Sequence, residues 1–207
     1  MDTISQHCYT VFERAVCDYH LFDDVDRFVQ NPFGQGTLDA LLYEKSWIDT
    51  VQWHLEDMVR DPAIDPGYAL AIKRRIDHLN QQRTDRVEQI DDHFQEAYCQ
   101  VVPLAGARHN SESLGWAIDR LSILTLKVYH TGVELERSGV SADHQDKCMA
   151  RMRILSAQKE DLLLAINWLQ EDVSTGVKVN KVYRQLKMYN DPAFNPVLYA
   201  KRSVSVD

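Results

Sequence analysis

Apolar residues recur every three or four positions along nearly the whole 207-residue chain, and alternation of apolar with polar residues is almost absent. That spacing places each apolar set along one side of an α-helix and leaves little material for a sheet. The first such stretch covers about residues 3–30, with Ile4, Cys8, Val11, Ala15, Tyr19, Phe22, Val25 and Val29 in register, until "NPFGQG" stops it. Thr37 is placed to cap a second helix running to about Arg60, with Asp39 in its first turn. In "DPAIDPG", Asp65 can cap a third helix and Pro66 can take its first position, where the missing N–H costs nothing. This helix continues to about Tyr98. A fourth spans about 114–137 and ends near Gly139, and Ser141 caps a fifth that reaches about Val173. A basic last helix, about 177–189, leads into "NDPAFNPVLY", whose turn formers predict a tail docked in extended form. The chain thus predicts an all-α antiparallel bundle of about five long helices plus a short C-terminal helix and extended tail, in a single domain.

The third helix contains an anomaly. At 100° per residue, Ile72, Ile76, Leu79, Val87, Ile90, Phe94 and Ala97 fall within a sector about 80° wide, and Arg83 lies near its centre. On the second helix Leu41, Ile48, Val51, Leu55, Met58 and Val59 form a face with Glu44 in its middle. A short turn makes the two helices antiparallel neighbours, so positions whose numbers add to about 127 should lie level. Glu44 and Arg83 satisfy that, and an unpaired buried guanidinium would cost several kcal/mol, so a buried Glu44–Arg83 ion pair is expected. Two readings follow: the pair fixes helix register, or Arg83, helped by Asn80 one turn earlier, holds an anionic ligand in a polar pocket.

Other candidate chemistry is sparser. His54 and Asp57 lie on adjacent turns and can share a metal or a proton. His130 and Glu134, with Asp119 and Lys127, lie along one side of the fourth helix and could supply a second pair if the helices face each other. Two groups do not complete a metal site, and the expected arrangement is an exposed polar stripe with no metal or other cofactor assigned. Asp77, Asp85, Glu88 and Asp92 oppose the apolar sector of the third helix and are expected in solvent or against a partner. Trp47, Trp53, Trp116 and Trp168 are expected as packing anchors. There is no P-loop, GxGxxG, GxSxG or HExxH motif, and no Glu-x-x-His of the kind that builds di-iron bundles.

The net charge of −8 disfavours broad binding to nucleic acid. From Gly176 onward, however, six basic residues face two acidic ones, which makes Lys178, Lys181, Arg184 and Lys187, with Asn190 and Asp191, a candidate partner or anion site. The absence of a basic and apolar leader, of a long apolar span and of any CxxC pair among four cysteines predicts a cytoplasmic protein with reduced thiols and no membrane insertion.

Four segments, "KSWIDTVQWHLEDMVRDP", "RRIDHLNQQRTDRVEQID", "DRLSILTLKVYH" and "KVYRQLKMYNDPAFNPVLY", resemble an uncharacterised bacterial family, domain of unknown function 4254, over nearly the whole chain. The resemblance implies no established activity. It does imply a gene setting beside cell-envelope glycosyltransferases, and so an accessory role in making lipopolysaccharide or a related saccharide. Two functions are therefore expected as alternatives. One is a non-catalytic bundle that binds a protein partner, such as a glycosyltransferase, through its polar second and third helices and basic C-terminal segment. The other is an enzyme for a phosphorylated or carboxylated small molecule, with Arg83, Arg60 and Lys127 clamping the anion and His54 or His130 as general base.

Overall fold

The computed structural model describes residues 3–186 and 193–194. Among them are five helices and no strand: α1 (Ile4–Tyr19), α2 (Leu38–Met58), α3 (Pro66–Ala97), α4 (Leu114–Glu136) and α5 (Ala142–Ser174). Each begins at a side-chain cap, from Thr3, Thr37, Asp65, Ser113 and Ser141 in turn, whose oxygen accepts one of the otherwise unpaired first-turn N–H groups. No helix is long and apolar enough to cross a membrane.

α2 is the central element. It packs on α1, α3 and α4, which explains why it buries residues all around its circumference, including Leu42, Tyr43, Lys45, Ser46, Trp47 and Asp49. The core joins these to Phe12 and Tyr19 of α1, Ile76 and Ile90 of α3, Ile118 and Leu121 of α4, and Ile166 of α5. Of the four tryptophans, Trp168 is not an anchor: it is 61% exposed. Cys8 is buried and Cys17 exposed, on opposite sides of α1, and all four thiols are free.

Two predicted elements differ. α1 stops at Tyr19 rather than near residue 30. The N–H groups of Phe22 and Asp23 both turn back to the Tyr19 carbonyl, and Asp23 adopts φ +49°, a left-handed conformation that Asp tolerates better than most residues. Asp23, Asp24 and Asp26 would extend a helix whose C-terminal end repels anions, so the apolar spacing is overridden. Val25 still reaches the core from the following loop, and Arg75 ties that loop to α3 through Asp26 and the Val25 carbonyl. The second difference is residues 177–186, which form no helix. After the φ +76° turn at Gly176, the chain pairs Arg108 N–H with Val177 O and Val179 N–H with Arg108 O, and then lies along α3. There Asn180 Nδ2 donates to Phe94 O, and Arg184 meets Glu88 and Asp92. Of the four acids expected in solvent or against a partner, Glu88 and Asp92 thus receive this segment, whereas Asp77 and Asp85 are exposed and paired within α3.

Candidate metal and polar centre

Two polar clusters lie where α2 meets its neighbours. In the first, Lys45 and Asp49, one turn apart on α2, are almost wholly buried. Lys45 Nζ donates to Asp49 and stands 2.8 Å from Asp119 Oδ1 on α4. Arg83 of α3 grips Asp119 with two parallel bonds, Nε to Oδ1 at 2.9 Å and Nη2 to Oδ2 at 2.5 Å, while its Nε is 3.5 Å from Asp49 Oδ1. Ser122 Oγ donates to Asp49 Oδ2 at 2.6 Å. Two cations and two carboxylates thus cancel in a largely dry site that joins three helices. Lys45 and Arg83 outweigh burial at Asp119 and hold it below the ordinary carboxylate range. Asp49 is pushed up, chiefly by burial, and its Oδ1 has no hydrogen-bond partner.

This corrects the expected Glu44–Arg83 pair. Glu44 instead accepts from Arg86 Nε at 3.0 Å and from Asn31, in a half-exposed position. The α2–α3 partners are Glu44 with Arg86, Asp49 with Arg83 and Gln52 with Asn80, whose numbers add to about 130–132 rather than 127. The offset is physical. Side chains on each helix lean toward that helix's own N-terminus, so in an antiparallel pair the tips that meet belong to residues further along both chains than their level Cα atoms.

The second cluster is made by His20, just past the end of α1, His54 of α2 and His130 of α4. Their ring centres stand 5.2, 5.2 and 5.4 Å apart, each pair tilted edge to face, and one ring nitrogen from each lies within 4.8 Å of the others. His20 Nδ1–H donates to the Val16 carbonyl at 2.7 Å, which leaves Nε2 as the lone-pair nitrogen of the neutral ring. That Nε2 is 3.2 Å from His54 Nε2. His130 stacks flat on Trp53 at 4.9 Å, and its Nε2 is buried with no hydrogen-bond partner. Burial, reinforced by the neighbouring imidazoles, lowers His54 and brings His130 down to about 4, so both are neutral at pH 7. Asp23, 3.9 Å from His20 Nε2, and Asp57 add negative potential around the three rings.

The family model of a protein of unknown function, DUF4254, matches residues 39–182, more than half of the chain. The chain belongs to that family. The DUF4254 span includes His54, His130 and all four charged members of the buried cluster, whereas His20 precedes it. Comparison with curated proteins and with solved structures finds no match.

Of the residues singled out in this DUF4254 chain from sequence, the structure unites Arg83 with Asp119, and His54 with His130. Asn80 is engaged by Gln52. Asp57 and Arg60 bind each other at the exposed end of α2, where Arg60 also holds Glu56. Arg83 and Arg60 are each matched by a carboxylate, and both line one cleft with Gln52, Trp53 and Asp57. Glu134 turns away from His130 to Arg137 and His144. Lys178 pairs with Asp172, Lys181 lies over Tyr183 and Arg184 is held by α3. Lys187, Asn190 and Asp191 lie outside the described residues. Sequence reasoning missed His20, Lys45, Asp49 and Ser122. Only the Lys45–Asp49 pair left a trace, as opposite charges at i and i+4 on a helix with little polar face.

Proposed function

We propose that this protein is a metalloprotein in which His20, His54 and His130 hold one first-row divalent ion, zinc in preference to calcium or magnesium. The observation that carries the reading is the geometry of the three rings. A tetrahedral zinc about 2.0–2.1 Å from each nitrogen keeps three imidazole centres roughly 5.2 Å apart, close to the spacing found here. Neutral imidazoles at His54 and His130, a His20 ring orientation set by a backbone carbonyl and a buried His130 nitrogen lacking a partner all suit a ligand role. Nitrogen donors select zinc-like ions over hard, oxygen-seeking ones. Three protein ligands leave a fourth position for water, as in catalytic rather than structural centres, so metal-activated hydrolysis is the chemistry within reach.

Protein stripped with chelator and titrated with zinc should bind one equivalent per chain, and the cobalt form should show the visible bands of a tetrahedral centre. His54→Ala should weaken zinc binding by about 100-fold or more. Undiminished one-to-one binding by that variant would overturn the assignment.

A second reading, the cytoplasmic accessory protein of envelope saccharide assembly that works through a protein partner, is supported by exposed apolar side chains in the loop that follows α1. Leu21 is 73% and Phe28 90% exposed. Capture of a glycosyltransferase from the native host by wild-type protein, and its loss with Phe28→Ser, is the expected result; equal recovery by both would exclude this surface.

A further inference from the structure

His130 and Trp53 belong both to the histidine centre and to the wall of a cleft of about 1110 Å³ that runs between α4 and α5. Its size lies just above the usual range of about 300–1,000 Å³ for small-molecule sites. The charges in its lining are unevenly matched. Of its acids, Asp57 is held by Arg60, and Glu134 by Arg137 and His144. Of its cations, Lys147 is held by Asp143. Lys127 of α4 and Arg151 of α5 remain, and among the described residues neither forms an ion pair. The rest of the cleft is mainly apolar, with Val133 48% and Ile154 60% exposed. Two unmatched cations in a mainly apolar cleft, on a chain of net charge −8, are the complement of one kind of molecule.

We infer that the cleft binds an amphiphilic anion, its phosphate or carboxylate head between Lys127 and Arg151 and its apolar body along Val133 and Ile154, as the substrate class of the neighbouring histidine centre. The inference rests on the metal reading for the role of substrate, but binding itself depends only on the cleft. Trp53 and His130 bring the occupant up to the centre, so a metal ion there adds a further attraction for the anionic head.

Titration calorimetry with octyl phosphate tests this, using octanol and inorganic phosphate as the two halves of the probe and octanoate to distinguish the head groups. Octyl phosphate should bind at one per chain, at least about tenfold more tightly than either half. Lys127→Gln combined with Arg151→Gln should weaken it about tenfold or more and leave octanol unaffected. Ile154→Asp should weaken all the alkyl ligands. His20→Ala, which lies outside the cleft lining, should remove the metal and bind octyl phosphate as tightly as metal-free wild type does, but more weakly than zinc-loaded wild type. One equivalent of zinc with no preference for octyl phosphate over inorganic phosphate would overturn the cleft assignment alone. Octyl phosphate binding without any zinc binding would overturn the metal reading and the substrate role, and leave the ligand class standing.

Discussion

Asp119→Ala should unfold in urea with a loss of about 3–5 kcal/mol relative to wild type, the range expected when one member of a buried ionic group is removed. Among the described residues Asp119 is the only carboxylate that touches both Lys45 and Arg83 with short bonds, and removing it leaves two cations facing the carboxylate of Asp49. Lys45 cannot move to water without dragging α2 out of the core, because its side chain has no exposed surface. Glu44→Ala is the control. Its partner Arg86 is about one-third exposed, so the loss should stay near 1 kcal/mol or below. Equal effects at the two positions would contradict the placement of the ionic core. The pH dependence carries the same signature. Asp119 has a depressed folded pKa, so its contribution is complete above the unfolded value of about 3.9 and is lost as the pH falls through its lower folded value. Asp49, raised by burial, works in the opposite sense, its contribution lost as the pH rises through its folded value. The acid limb of the stability profile should therefore flatten in Asp119→Ala.

Gly115→Ala should also destabilise, by about 3 kcal/mol, although helix propensity alone predicts a gain of about 1 kcal/mol for replacing a helical glycine. The sign is decided by how closely α4 approaches α3. A Cβ at position 115 would come within 2.7 Å of the Asp91 carboxyl group and 2.7 Å of the Val87 carbonyl oxygen. The second of these is backbone and can yield only if α3 moves. Asp91 is also the cap of α4 from across the interface: Gly115 N–H donates to its Oδ1 at 2.7 Å and Ser113 Oγ to its Oδ2 at 2.6 Å. Pushing the helices apart stretches both bonds and strands a carboxyl group that is almost entirely buried. Thermal and urea unfolding should both place Gly115→Ala below wild type. A variant more stable than wild type would mean the approach is looser than described.

The helices were legible because their signals are local. Thr37, Asp65 with Pro66, and Ser141 announce helix starts within a few residues, and the structure begins α2, α3 and α5 at those points. The anomaly at Arg83 was also legible as a charge that must find a partner. Its partner was not, because the choice among acids depends on a register shift of a few residues produced by side-chain tilt, and on α4, which enters from 36 residues away in sequence. The histidine centre was legible only in part. His54 and His130 stood out on their own helices, but they meet because α4 packs against α2. His20 joins them from the C-cap of α1, its N–H still bonded to the Val16 carbonyl. No spacing rule connects three residues that meet only through the packing of three separate helices.

The cancellation of charge among Lys45, Asp49, Arg83 and Asp119 also bears on how sequences of this family diverge. A single replacement at any one of them strands the opposite charge, so neutral drift one site at a time is blocked, whereas a wholly apolar quartet would be tolerated. Among related chains these four positions should change as a set, with few lineages caught halfway, and their joint variation should trace the contact between α2, α3 and α4.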